Sequence, residues 1–441
     1  MTLTLPRLRC QRCSHVWVPR RESAPKHCPK CVPPGALILG DNMPVEAVSP
    51  GVKVFGSTGL GQVIAHETHP HAGTLVTIRG VGLLPIRVTP DHPLRVCHVE
   101  RRWRSGKSRD RRSSCGYLWS IGPAAWQAAG QVVPVIIPRR VRSGTPSCGD
   151  YLLIPRLPAR PTPFLSLERF GSRHGIAVAK RRKYPITIPL DPELAWLLGL
   201  YVADGGSTEK GICIFLGSRE EEKAVRAVRT FTALGYSASV RRYPSMIRVG
   251  AGSRLLSRAL RSWCGVDCYS KAVPDFILEC GDREVQRAFI EGYVDGDGHR
   301  ARKHPADRFA TIAARTVSRA LALGLQLLLA QLDMPSTLRE LDLPPWAFIE
   351  GRRVRQSRAY LLTFSERGGK NRHSARMQRT TPEGLLVPVR STGEDLYRGD
   401  VHDVTTDGGT FLLSNVLTHN CKSPYWDKPR GQKRGPKPRS L

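Results

Sequence analysis

Near the end of the chain, His419-Asn420-Cys421 combines three side chains that could cut and rejoin a backbone. An asparagine amide nitrogen can attack its own main-chain carbonyl, closing a succinimide and breaking the peptide bond that follows. A neighbouring histidine can hydrogen-bond that carbonyl and assist proton transfer, and a thiol immediately downstream can capture an acyl group beforehand. A second chemical set opens the chain, where Cys10-x2-Cys13 and Cys28-x2-Cys31 have the spacing that arranges four thiolates around Zn²⁺. The third set is two similar nonapeptides, LLGLYVADG from Leu197 and IEGYVDGDG from Ile290. On a helix, Gly199 and Ala203 share a face, as do Gly292 and Gly296, so two such helices can meet almost backbone to backbone. Their C-terminal ends would then gather Asp204 and Asp297, oxygen ligands suited to Mg²⁺, which can activate water and stabilise a leaving oxygen on DNA.

The first two sets are connected. Deleting residues 31–420 joins KHCPK to CKSPYW, so Cys421 takes the position of Cys31. The four-cysteine pattern is restored as Cys10, Cys13, Cys28 and Cys421, an outcome that an arbitrary boundary would not give. Excision of the interior is therefore the expected purpose of the junction residues.

The elements that must position these groups are of two kinds. From about Val45 to Val96 short β-branched runs are punctuated by glycine, which predicts a compact all-β unit. From about Pro189 the period becomes helical, as in EEEKAVRAVRTFTALG and SRALALGLQLLLAQLDM, predicting a separate α/β unit. β-like sequence returns in VHDVTTDGGTFLLSNVLTHN, implying one β domain interrupted by an insertion. At 441 residues the chain has room for about three domains at roughly 150 residues each. A formal charge of +31 points to a polyanionic partner, with nucleic acid first in line. The basic run around Trp103, residues 100–112, is a weaker candidate contact with a stacking ring. Gln326 and Gln331 interrupt the most apolar run, Ala320 to Leu332, so no membrane span is expected. No secretion signal precedes the early arginines, which places the twelve cysteines in a reducing, cytoplasmic setting.

The junction residues resemble those of inteins, the self-splicing protein insertions. VHDVTTDGGTFLLSNVLTHNC resembles the family's last block, with Asp403 at its aspartate, and Thr89-Pro-Asp-His92 resembles its Thr-x-x-His block. CVPPGALILGDNMPVEAV resembles its beginning, with Cys31 first. The resemblance implies an all-β, horseshoe-like Hint splicing domain, and it implies roles. Cys31 attacks the Lys30 carbonyl with help from Thr89 and His92. Cys421, activated by Asp403, takes over the acyl chain, and Asn420 cyclises with assistance from His419. No cofactor is implied for splicing. The chain departs from the family at Gly409, where a histidine usually assists proton transfer, and at Gly51-Val52, where Gly-Asp is common.

The paired nonapeptides resemble those of LAGLIDADG homing endonucleases. Lys271 in YSKAVPDFI matches that family's Lys-x-(Ile/Val)-Pro block, whose lysine assists the metal centre. The expected architecture is multidomain: a zinc-ribbon half at 1–30, splicing domain at 31–185, an α/β LAGLIDADG domain at 186–366, a linker and the rest of the splicing domain at 367–420, and a basic tail at 421–441. The expected partner is double-stranded DNA of a host gene lacking the insertion, cut by a monomer with Mg²⁺. Zn²⁺ is expected in the host, held by Cys10, Cys13 and Cys28 with Cys31 or Cys421. The competing expectation is a nucleic-acid-binding zinc-ribbon protein whose Hint-like insertion is inert or only cleaves.

Overall fold

A computed structural model describes residues 8–9, 16–17, 31–104, 116–135, 147–172, 184–302, 310–349, 351–355, 358–365 and 378–419. Cys10, Cys13, Cys28, Asn420 and Cys421 lie outside these residues, as does most of the basic run after Trp103.

Among the described residues thirteen strands, drawn from 37–155 and from 379–419, join in one sheet. Its longest feature is a ribbon in which Gly59–Gly80 pairs antiparallel with Gly384–Thr406. Beside it, Ser147–Pro155 pairs with both Gly384–Thr406 and Pro93–Arg104. The strands Thr410–Leu413 and Val416–His419 form a hairpin whose two-residue turn, Ser414 and Asn415, takes φ values of 47° and 67°. Both values are left-handed, as the right-handed twist of a tight hairpin demands, and asparagine is among the few side chains that tolerate them. The hairpin lies within the sheet, between Leu37–Ile38 on one side and Pro93–Arg104 on the other: Leu413 opposes Ile38 and Thr418 opposes Leu94.

The described residues of 187–365 contribute six helices and separate sheets: α1 (Pro192–Asp204), α2 (Glu221–Ala233), α3 (Arg254–Cys264), α4 (Asp275–Glu279), α5 (Arg283–Asp297) and α6 (Arg319–Gln331). The segment repeats itself. Helix α1 is followed by two strands, α2 and two more strands, and α5 is followed by two strands, α6 and then the same pair of outer strands. Each half makes a four-stranded sheet in which the first strand pairs with the second, the second with the fourth and the fourth with the third. The second half adds one small hairpin, Trp346–Ile349 with Arg352–Arg355.

Helices α1 and α5 start alike. Asp191 accepts a hydrogen bond from Leu194 N, and Asp282 accepts from Glu284 N and Val285 N, which satisfies donors that a helix start leaves open. Each ends at a glycine, Gly205 or Gly298. Every residue of α1 from Leu194 to Val202 is buried, as expected for a helix enclosed on all sides. Among the described residues no helix is long and apolar enough to cross a membrane. The apolar run that α6 occupies is enclosed within the protein, with Ala320 through Gln331 all buried.

Candidate functional site

The first centre lies where α1 and α5 cross. Their contact depends on glycine: a Cβ added to Gly199 would lie 2.1 Å from Phe289 O, and one on Gly292 would lie 1.9 Å from Trp196 O. No side chain of any size fits there, so the helices touch through their backbones, as the nonapeptide spacing predicts. One turn further on, a Cβ at Gly296 would lie 2.4 Å from Ala203 Cβ and 2.7 Å from Asp204 Oδ2. The Asp204 carboxylate therefore sits over the end of the opposite helix, beside Asp297.

Both carboxyls are pushed above the ordinary aspartate range. Burial is the main cause for each; repulsion from Glu220 adds to it at Asp204, and repulsion from Asp204 adds to it at Asp297, which reaches about 6. Asp204, half-buried, and Asp297, open to solvent at the end of its helix, repel each other and form a hard-oxygen site which a divalent cation would relieve. The donor chemistry fits Mg²⁺.

Lys271 reaches this centre from the connection before α4. It is buried, and its ammonium donates to Tyr201 O at 2.5 Å and Gly205 O at 3.0 Å while lying 4.0 Å from the Tyr201 ring centroid. A cation on the last carbonyls of α1 complements the helix dipole that the aspartates oppose. Burial pulls the Lys271 pKa down, and Cys264, Asp297 and Asp204 act the other way. A solvated surface lysine would have none of these partners.

Sequence reasoning missed the second lysine. Lys223 of α2 donates to Asp295 O in the last turn of α5 at 2.5 Å and to Glu220 Oε1 at 2.5 Å. Each helix end thus carries one ammonium. Asp295 itself is occupied: its carboxylate accepts from Trp196 Nε1 at 2.9 Å and pairs with Arg300 at 3.3 Å. No local pattern marks Lys223, because only the tertiary placement of α2 brings its ammonium to the end of α5.

The second centre is made of strand ends. Cys31 is 3% exposed, and Thr89 grips its backbone at three points. Thr89 Oγ1 accepts from Cys31 N at 2.9 Å and donates to Cys31 O at 3.2 Å, while Thr89 N donates to the same carbonyl at 3.1 Å. Three residues on, His92 Nε2 lies 2.6 Å from Thr418 Oγ1. The short segment Thr89–His92 therefore holds the first residue of the β body on one side and the penultimate described residue on the other. His419 is buried with its ring edge-on to Trp126, centroids 5.2 Å apart.

Asp403 enters through the backbone. Val32 and His402 exchange both hydrogen bonds, Val32 N to His402 O at 2.9 Å and His402 N to Val32 O at 2.8 Å. The antiparallel sense of that bridge sets Cys31 opposite Asp403. On the other face of the ribbon His402 stacks on His66, with centroids 5.2 Å apart and Nε2 of His66 3.2 Å from Nδ1 of His402. Sequence reasoning missed this pair, whose members meet only through the ribbon register that sets His66 opposite Val404. Burial lowers both imidazole pKa values; His402 lowers His66 further, while Glu46 and Asp400 partly offset the effect at His402.

Among the described residues no group of three or more His, Cys, Asp or Glu side chains is arranged to hold a metal ion. The zinc ligands expected at Cys10, Cys13, Cys28 and Cys421 are outside those residues, and Cys31 lies buried in the β body, in no disulfide.

Known proteins resemble this chain in two ways. Over 409 residues it is 24% identical to the ATP-dependent DNA helicase Hel308 of Thermococcus kodakarensis, covering 85% of this chain and 34% of that protein. Over 428 residues it is 26% identical to an iron-sulfur cluster assembly SufBD family protein of Mycobacterium tuberculosis, covering 90% of this chain and 43% of that one. The chain thus spans less than half the length of either relative. The homing endonuclease I-DmoI, in a structure of its mesophilic variants, aligns with 40% of this chain and 90% of its own at 17% identity and a TM-score of 0.29. The LAGLIDADG-like domain family matches residues 284–369, which begin within α5 and take in the second half of the repeat, so the chain carries a LAGLIDADG-like domain.

Proposed function

We propose that this chain is a self-splicing precursor whose interior, residues 31–420, excises itself and joins Lys30 to Cys421, and that its LAGLIDADG domain, residues 186–366, cuts double-stranded DNA. One observation carries the splicing reading: the Thr89–His92 segment contacts both Cys31 and Thr418, so the start of the interior lies beside the strand that leads to its end. The relatives support it independently. A helicase and an iron-sulfur assembly protein have unrelated names, yet each aligns with most of this chain through less than half of its own length. Elements inserted into unrelated hosts would produce that pattern.

In this reading the Cys31 thiolate attacks the Lys30 carbonyl, the Lys30–Cys31 amide breaks, and a thioester forms as the Cys31 nitrogen takes up a proton. Thr89 Oγ1 already accepts a hydrogen bond from that nitrogen, which fixes the orientation of the amide to be broken. The Cys421 thiolate displaces Cys31 from the acyl group, assisted by Asp403. Asn420 then closes on its own carbonyl with His419 assisting, which breaks the 420–421 bond. The released thioester shifts to the Cys421 amine as an ordinary peptide bond. The joined flanks, 1–30 and 421–441, would present Cys10, Cys13, Cys28 and Cys421 to Zn²⁺. Expressing the full chain under reducing conditions and weighing the products tests this reading.

For the nuclease, Asp204 and Asp297 would hold the divalent cation, which when bound supplies charge stabilisation to the scissile phosphate and lowers the pKa of a bound water. Lys271 and Lys223 neutralise the helix ends on which the two carboxylates sit. The basic character of the chain suits a DNA partner, and the natural target is the host gene without the insertion. A cleavage assay with Mg²⁺ on duplex DNA spanning the uninterrupted host junction tests it.

A further inference from the structure

The terminal hairpin that leads to His419 rests on a helix of the LAGLIDADG repeat. At its turn, Asn415 is fully buried, and its Nδ2 donates to Leu323 O at 3.0 Å and to Gln326 Oε1 at 3.2 Å, both on α6. Gln326 in turn donates through Nε2 to Gly82 O at 2.7 Å, tying the same helix to the β sheet behind the hairpin. The start of α6 meets the backbone of Lys271, whose ammonium reaches the carboxylate centre. The N-cap of α6, Ser318, donates to the carbonyl of Lys271 at 2.6 Å, and the Lys271 ammonium lies on the end of α1. One helix therefore touches the support of the DNA-cutting centre at its start and the support of the downstream junction at its middle.

We infer that Asn415 and Gln326 are positioning residues for the downstream junction, so that α6 of the nuclease repeat sets the placement of the strand ending at His419. This rests on the splicing reading above. The physical ground is the cost of leaving buried amides unpaired: both side chains are at most 1% exposed, and neither has water to turn to. The hairpin has only four residues on each side of its turn. A shift at Asn415 would thus be carried along Val416–His419 to the junction. The upstream step does not depend on this anchor, because Thr89 holds Cys31 directly.

The test uses the full-length chain and follows two cleavages separately: dithiothreitol-induced cleavage at Lys30–Cys31, and cleavage at Asn420–Cys421. Asn415→Gly removes the amide while suiting the turn's φ of 67°, and Gln326→Met removes the partner at similar volume. Both variants should slow the downstream cleavage by about ten- to a hundredfold, the scale on which small misplacements of a reacting group act. The thiol-induced upstream cleavage and the cutting of DNA should stay near those of the parent, while the melting temperature falls modestly because buried partners are left unpaired. Equal loss at both junctions would reduce these residues to general packing and overturn the inference. So would unchanged rates in a parent that splices. A parent that cleaves at neither junction overturns the splicing reading itself, and this inference with it. If Asn415→Gly does not fold, Gln326→Met decides by the same two rates.

Discussion

The two centres solve the same problem, bringing distant residues together, with different materials. At Asp204 and Asp297 the means is backbone contact between two helices, possible only because Gly199 and Gly292 have no Cβ. The carboxylates there are charged, mutually repelling and only partly buried, and ammonium groups balance them. At Cys31 and His419 the means is strand pairing, and both residues are buried, with the Cys31 backbone held by Thr89 and the Thr418 hydroxyl beside His92. Paired carboxylates need a cation to be complete; groups set by strand pairing need only alignment. The first should therefore depend on divalent cation and the second should not.

The sharpest way to break this comparison is at the carboxylates. Asp204→Asn or Asp297→Asn should lower DNA cleavage by on the order of 10³-fold or more, since a catalytic cation is worth several kcal/mol, and splicing should proceed as in the parent. Chelation by EDTA should act in the same way. If one substitution stops both reactions, the two centres are not separate in the way described. The next effect in size is at the upstream amide. Thr89→Val keeps the shape and removes the hydroxyl, leaving a buried N–H unpaired at a cost of roughly 1–3 kcal/mol, so thioester formation should slow by about 10–100-fold. DNA cutting by the same variant should be unchanged.

A third measurement concerns the helix crossing. Gly292→Ala places a methyl group 1.9 Å from Trp196 O, an overlap that the rigid backbone can relieve only by separating the helices. A loss of roughly 1–3 kcal/mol or more is expected, read as lower resistance to denaturant, together with loss of DNA cleavage. Normal cutting by Gly292→Ala would mean the helices are not held by this contact. The smallest effect is one of pH. His66 and His402 both have pKa values below 6.5 when folded, so on acidification the unfolded chain takes up protons that the folded one refuses. Stability should then fall as pH drops below about 6.5 toward those lowered values. The melting temperature of a His66→Gln, His402→Gln double variant should fall less between pH 7.5 and 5.5 than that of the parent, and an equal fall would remove the pair from the account.

The carboxylate centre was legible in sequence because its determinants share a helix: glycine, small residue and aspartate recur at fixed offsets within nine positions, twice. Lys271 was legible through its own short block. Lys223 and Glu220 were not, since α2 reaches the end of α5 only by tertiary packing. At the other centre, Cys31, Thr89, His92, Asp403 and His419 stand out as residue types, and the described ones converge. The imidazole pair does not stand out, because ribbon register alone makes His66 and His402 neighbours. Gln326 and Gln331 read in the sequence only as interruptions of an apolar run. In the fold they are the polar contacts through which that apolar helix joins the sheet: Gln331 donates to Pro155 O at 3.0 Å and accepts from Leu157 N at 2.8 Å. A helix period identifies a buried face but cannot say which of two domains covers it.

The central claim is that the ends of the interior meet in order to react. Intact-mass measurement on the full chain, expressed with a reductant and purified without heating, tests it most directly. The account predicts two products: a free interior of residues 31–420 ending in a succinimide or its hydrolysed form, and residues 1–30 joined to 421–441 by a peptide bond. Cys31→Ala should abolish the joined product, and Asn420→Ala should leave the downstream bond intact. Finding only the full-length chain, or separate flanks with no joined product, would contradict the account.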